Sequence, residues 1–184
     1  MEVLKADRAG IARAAVLIRA GEVVAFPTDT VYGLAALPGS ADRIYTAKSR
    51  PADKQLIAMA ADPAQLEALV EVGAHARGLM RRHWPGALTL VLPTRSGTPP
   101  TLGVRIPDHE LALALLRAVG EPLLTTSANL AGEPPALTAA EISLSGLAAV
   151  LDGGRAPGGT PSTVVAFDGG ELRIIRPGPV TPRG

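Results

Sequence analysis

The 184-residue chain has no cysteine, one tryptophan, two tyrosines and two phenylalanines. Without cysteine there are no disulfides, no thiolate nucleophile and no cysteine-based zinc site, a composition that agrees with a reducing compartment. Aromatics make up only 3% of residues, so the core must be assembled from many small aliphatic contacts. There is no excess of charge either. Lys and Arg number 18 against 17 Asp and Glu, which removes any global electrostatic drive toward nucleic acid or a membrane surface and leaves basic character to local sites. No apolar run is long enough to span a bilayer, and Met1-Glu2-Val3-Leu4-Lys5-Ala6-Asp7 lacks the basic start and apolar stretch of a signal peptide, so a cytoplasmic location is expected.

Common nucleotide motifs are missing as well. The glycines at 153, 154, 158 and 159 are not followed by a Walker lysine, and no dinucleotide fingerprint follows a strand. His75, His83 and His109 are far apart and lack ligand spacing, so no metal site is assigned to them. Arg81-Arg82-His83-Trp84 reads as a basic turn ending an amphipathic helix, with RNA contact as the alternative.

What is present is 47% hydrophobic residues, mostly Ala, Leu and Val, in a length that suits one well-buried domain over residues 1–184. Asp7 is placed to cap a helix over residues 8–20 with Ile11, Ala14, Ala15 and Ile18 on one face. Residues 22–26 read as a buried strand stopped by Pro27, and Ser40 opens a helix to about Lys48, which Pro51 prevents from continuing. Strands are expected at 56–60, 87–92, 101–107, 122–126, 163–167 and 172–175, and helices at 63–70, 73–83 and after an Asp108 cap. Thr138-Ala139-Ala140-Glu141 fits a capping box before a short helix. Interleaved helices and strands predict an α/β domain with a mixed sheet, and the Gly-Pro-rich stretch 153–161 predicts a mobile surface loop or lid.

Two motifs carry chemistry. Lys48-Ser49-Arg50-Pro51 puts fixed cations after a helix end, and Thr126-Ser127-Ala128-Asn129 puts hydroxyl and amide groups at a strand's carboxyl end. Together they suit a phosphorylated substrate held without covalent attack. Ser127 lies in no nucleophile elbow and has no histidine placed to activate it, so it reads as a binding group.

Pro27-Thr28-Asp29-Thr30-Val31-Tyr32-Gly33-Leu34, Lys48-Ser49-Arg50-Pro51, Trp84-Pro85-Gly86 with Leu88-Thr89-Leu90-Val91, Val104-Arg105-Ile106-Pro107, Ser127-Ala128-Asn129-Leu130, Ser162-Thr163-Val164-Val165 and Arg176-Pro177-Gly178 follow one another in this order. In that ordered set the chain closely resembles the YrdC family. The resemblance implies a twisted mixed β-sheet flanked by helices around a basic cavity. It also implies a reaction joining L-threonine, bicarbonate and ATP into L-threonylcarbamoyladenylate with release of pyrophosphate, for N6-threonylcarbamoyladenosine in tRNA. Carried over by position, Thr30, Arg105, Ser127 and Ser162 are the expected threonine-binding set. Arg50, Lys54, Thr101, Asn129 and Arg176 are the expected ATP set, with Lys48 and Arg50 the catalytic basic pair and Mg²⁺ entering mainly through ATP. Leu137 falls where some relatives contact ATP and offers only its backbone.

The chain departs from the family's commoner pattern at Lys54-Gln55-Leu56 and at Met59, which stands where a His is frequent, and Asp29 replaces a frequent Glu. It ends soon after Arg176, which implies the short, single-domain form. The implied partners are ATP, L-threonine and bicarbonate, with hand-over to a threonylcarbamoyl transferase complex. The competing expectation is a tRNA- or double-stranded-RNA-binding module without turnover. A paralogue making a different carbamoyl-adenylate, as in hydrogenase maturation, lacks support because the accompanying zinc-finger and acylphosphatase segments are absent.

Overall fold

The computed structural model describes residues 1–49, 55–130, 132–168 and 170–182. Its strands are β1 (Glu2–Lys5), β2 (Val24–Phe26), β3 (Gly33–Ala36), β4 (Ile57–Met59), β5 (Leu88–Pro93), β6 (Thr101–Arg105), β7 (Leu123–Ser127), β8 (Ala149–Asp152), β9 (Thr163–Asp168) and β10 (Glu171–Arg176). The helices are α1 (Arg8–Arg19), α2 (Ala41–Ala47), α3 (Pro63–Glu67), α4 (Ala74–His83) and α5 (Glu110–Val119). Among the described residues all ten strands join one sheet in the order β1-β8-β2-β3-β7-β4-β6-β5-β9-β10. Four strand pairs are parallel (β1 with β8, β2 with β8, β4 with β6, β5 with β9) and the other five antiparallel, which is the expected mixed α/β architecture. No helix among the described residues is long and apolar enough to cross a membrane.

Local chemistry sets the element ends. Asp7 is extended, and its carboxylate accepts from Gly10 N at 2.8 Å, satisfying one of the free amides at the start of α1 as the sequence predicts. Asp62 does the same for α3 through Ala64 N, with Pro63 in the first turn, where a missing N–H costs nothing. The cap of α5 differs from expectation. It is His109, not Asp108, and its Nδ1 accepts from Ala112 N at 3.4 Å. The predicted capping box at Thr138 is also corrected: Thr138 makes no side-chain cap, and Glu141 Oε2 instead accepts from Leu137 N at 2.7 Å over a single 3₁₀ turn. That bond holds the exposed Glu141 carboxyl below the usual carboxylate range.

Side chains alternate across the sheet, so each face packs its own partners. One face carries Val24, Ala35, Leu123 and Met59 against α1 and α5, through Ala14, Ile18, Leu115 and Leu116. The opposite face carries Ala25, Leu34 and Val150 against Ile44 of α2 and the 136–147 segment. Further along, it carries Ala58, Leu90, Val104 and Val165 against Leu66, Leu79 and Met80 of α3 and α4. The buried side chains are overwhelmingly Ala, Val, Leu and Ile, as the scarcity of aromatics requires. On the α1 and α5 face the helical cover stops at β4. Beyond it, Ile57, Gly103, Val91 and Ala166 form a register row, and a cavity lies at its Ile57 end.

Candidate active site

A cavity of about 630 Å³, including its open mouth, is lined by Thr28, Thr30, Ile57, Met59, Arg105, Thr125, Ser127, Ser162 and Arg176, among others. Six separate elements deliver these groups: the turn after β2, strand β4, the carboxyl ends of β6 and β7, Ser162 at the entry to β9, and Arg176 at the end of β10. The four residues expected to bind threonine, Thr30, Arg105, Ser127 and Ser162, therefore share one cavity, and Arg176 of the expected ATP set joins them.

Pro27 stops β2, and the chain turns on Thr28. Its buried Oγ1 donates to Val31 O at 2.7 Å, accepts from Thr30 N and Val31 N, and lies 3.0 Å from Thr30 Oγ1. This side-chain turn aims Thr30 at Arg105. Arg105 is 2% exposed and fixed in three directions: Nε donates to Gly86 O at 2.9 Å, Nη1 to Thr30 Oγ1 at 3.1 Å and Nη2 to Asp29 Oδ1 at 2.6 Å. These contacts use three of the five N–H donors of a guanidinium, leaving one on each Nη. Burial lowers the Arg105 pKa from its ordinary value and Asp29 partly offsets this, while the group stays charged. The Trp84-Pro85-Gly86 segment supplies the Gly86 carbonyl, and Trp84 Nε1 anchors it to Leu88 O at 2.7 Å.

Ser162 Oγ sits 2.8 Å from Thr89 Oγ1. Arg176 reaches the same residue, donating through Nε and Nη2 to Ser162 O at 3.2 and 2.8 Å, and from Nη2 to Ser162 Oγ at 3.3 Å. Arg176 can come this close because Gly178, just after it, packs against the backbone: a Cβ there would lie 2.4 Å from Thr163 N and 2.6 Å from Pro161 O. Burial lowers the Arg176 pKa from its ordinary value too.

Lys48 and Asn129 are bonded to each other. Lys48 is 2% exposed, and its Nζ donates to Ser127 O at 2.5 Å, to Asn129 O, and to Asn129 Oδ1 at 3.4 Å. Asn129 Nδ2 donates away from the cavity, to Leu130 O at 2.9 Å and Glu133 O at 2.7 Å. The two motifs that the sequence pairs as ligand-holding groups are thus bonded directly to each other, and the ammonium clasps the turn that presents Ser127. Neither side chain lines the cavity. Thr101 does not line it either: it shares the Gly103 and Arg105 face of β6 but sits four residues from Arg105, about 13 Å away at strand rise. Leu137 uses its backbone N for Glu141 and its O for Ala156 N. Arg50 and Lys54 lie outside the described residues.

Sequence reasoning gave no role to Thr28, Thr89, Thr125 or Gly86. Thr28, Gly86 and Thr89 stand inside the ordered motifs, Thr89 Oγ1 coming within 2.8 Å of Ser162 Oγ, whereas Thr125 looks like an ordinary strand residue until the sheet register brings it beside Ile57. Met59, 5% exposed, does line the cavity. Among the described residues no group of three His, Asp or Glu could hold a metal ion.

A mixed sheet with a hydroxyl-lined cavity holding two guanidinium groups defines an α/β domain whose cavity chemistry suits a small anionic ligand. The Sua5/YciO/YrdC family profile, described as telomere recombination, matches residues 16–178, and the chain belongs to this family. It is 44% identical over 186 residues to the threonylcarbamoyl-AMP synthase of Bacillus subtilis, covering 93% of this chain and 54% of that protein. It is 41% identical over 179 residues to the enzyme of the same name from Pyrococcus abyssi, covering 90% and 53%. The chain thus spans about half the length of these curated relatives. Among solved structures it resembles P. abyssi Sua5 complexed with L-threonine, with a TM-score of 0.89 and 38% identity over 96% of this chain and 57% of that one. It also resembles E. coli YciO, with a TM-score of 0.84 and 26% identity over 96% and 94%.

Proposed function

We propose that this cavity joins L-threonine, bicarbonate and ATP into L-threonylcarbamoyladenylate and pyrophosphate, a nucleotidyl transfer that supplies the threonylcarbamoyl group of modified tRNA. The observation that carries the reading is the convergence of Thr30, Arg105, Ser127 and Ser162 on one cavity, in a chain closely similar to synthases of that name.

The threonine amine attacks the bicarbonate carbon, and loss of water leaves a carbamate. A carbamate oxygen then bonds to the α-phosphorus of ATP as the bond to pyrophosphate breaks, the electron pair leaving with pyrophosphate. No protein nucleophile takes part, so the protein's contribution is to position anions and to stabilise charge on phosphorus and on the leaving group. Arg105 meets the threonine carboxylate with its two remaining N–H groups, held rigid by Asp29, Thr30 and Gly86. The hydroxyls of Thr30, Ser127 and Ser162 serve the amine and side-chain hydroxyl of threonine, and Met59 packs against its methyl group. Arg176 reaches over Ser162 toward the phosphates with Nη1, where Arg50 and Lys54 of the same expected set would join it. Lys48 and Asn129 act from beneath, fixing the Ser127 turn.

Mg²⁺ enters as part of the MgATP substrate. Asp29, the carboxylate beside the cavity, is taken by Arg105, and the described residues supply no cluster of ligands for an ion of their own. Hand-over of the adenylate to a threonylcarbamoyl transferase complex follows from the product's lability. A purely RNA-binding module is disfavoured, because the cations of this site are inside a cavity and committed to neighbours instead of spread along a surface strip. Incubation with ATP, L-threonine and bicarbonate, followed by mass spectrometry, tests the reading: a threonylcarbamoyl-AMP product supports it, and ATP left intact overturns it.

A further inference from the structure

We propose that Tyr32 is a positioning residue that holds the Gly153–Ser162 segment as a strap across the cavity, setting the spacing between Thr30 and Ser162 and thereby the affinity for threonine. This inference rests on the function proposed above.

Tyr32 is wholly buried, yet its ring ends in a hydroxyl that reaches the surface strap. Oη donates to Gly154 O at 2.7 Å and accepts from Gly153 N at 3.2 Å. Burial raises the phenol's pKa above its ordinary value, which keeps the donor proton in place across the working range. The backbone of the same residue binds two further segments: Tyr32 N donates to Ala136 O at 2.9 Å, and Tyr32 O accepts from Ala128 N at 2.8 Å, inside the Ser127–Asn129 turn. One residue therefore joins the Thr30 turn, the Ser127 turn, the 136 segment and the strap.

The strap is tied at further points. Ala156 is buried and donates to Leu137 O at 2.7 Å, and Gly159 N donates to Thr30 O at 2.8 Å. Gly158 is pressed onto the Thr30 turn so closely that a Cβ would stand 2.6 Å from Asp29 O and 2.8 Å from Thr30 Cα. From there the chain runs directly into Ser162. The stretch expected to form a surface loop or lid carries these ties from Gly153 to Gly159, and its anchoring residues sit next to Thr30. Moving the Gly153 end would relax the Gly159 contact with Thr30 O and shift Ser162 against Arg105. The hydroxyl bonds to the strap at both Gly153 N and Gly154 O.

The test compares the full chain with Tyr32→Phe, which keeps the ring, and with Gly158→Ala, which pushes the strap away from the other end. Amide hydrogen exchange should quicken at Ala156 and Gly159 in Tyr32→Phe, and the KM for threonine should rise about fivefold, the equivalent of about 1 kcal/mol, with the KM for ATP within about twofold of wild type. Gly158→Ala should reproduce that split with Tyr32 intact. Wild-type exchange rates at Ala156 and Gly159 in Tyr32→Phe would overturn the tether. Faster exchange with unchanged threonine KM would overturn the positioning role. Wild-type protein that never responds to threonine would overturn the functional reading instead, and the exchange rates would still decide whether Tyr32 holds the strap.

Discussion

Arg105 Nη2 and Asp29 Oδ1 meet at 2.6 Å with side chains only 3% and 13% exposed, so the cavity's best-fixed cation depends on one carboxylate. Removing that carboxylate leaves a buried guanidinium without its counter-charge, and such broken pairs cost several kcal/mol. Asp29→Ala is expected to lose about 3 kcal/mol of stability in chemical denaturation and to raise the threonine KM more than the ATP KM. A variant with wild-type midpoint and wild-type threonine KM would show that Gly86 and Thr30 suffice to hold Arg105.

Lys48 gives a second prediction. Its ammonium bonds to Ser127 and Asn129 carbonyl oxygens in a buried position, and hydrogen bonds to charged groups are worth about 1.5–3 kcal/mol. Lys48→Met, similar in length and uncharged, should lower stability by about 2 kcal/mol and slow turnover, because the turn carrying Ser127 loses its clasp. Lost turnover at full stability would instead make Lys48 a group that acts on substrate alone.

Ser162 of the expected threonine set and Arg176 of the expected ATP set touch through their side chains, Arg176 Nη2 donating to Ser162 Oγ at 3.3 Å. Contacting residues couple, so a double-mutant cycle with Ser162→Ala and Arg176→Ala should show an interaction of about 1 kcal/mol in kcat/KM for threonine. Additive effects would restore two independent binding sets.

Much of the fold is legible in the sequence because its strongest signals are local. The Asp7 cap, the apolar stripe of α1 and the Pro27 stop each act within a few residues. The sequence pattern does not mark the strands β1, β3 and β8. Each is four residues long, and Ala149–Asp152 between loops has no alternation to separate it from a linker; β1 and β8 become strands by pairing in parallel, β8 also with β2, and β3 by pairing antiparallel with β2 and β7. The sequence points to Asp108, one residue before the true cap, because Asp is the commoner capping residue, whereas the extended backbone at the start of α5 is at His109. The site followed the same division. Thr30, Arg105, Ser127 and Ser162 stand in ordered motifs, but whether Lys48 faces a phosphate or a carbonyl depends on where α2 ends against β7, which no local pattern encodes.

His109 makes a pH prediction. Burial holds its pKa below the ordinary histidine value, and the capping Nδ1 must be unprotonated to accept from Ala112 N. The unfolded chain therefore takes up its proton at higher pH than the folded one, so the stability this residue contributes is complete above the ordinary histidine range and is lost as pH falls through it toward the lower folded value. Urea midpoints measured between about pH 7.5 and pH 5 should fall less steeply in His109→Asn, which caps without titrating. Parallel slopes for the two proteins would remove His109 from the pH response.

The most direct measurement of the central claim is pyrophosphate release from ATP with each substrate left out in turn. The cavity's arrangement predicts release only when L-threonine and bicarbonate are both present, and its collapse in Arg105→Ala. Equal release without threonine would contradict it.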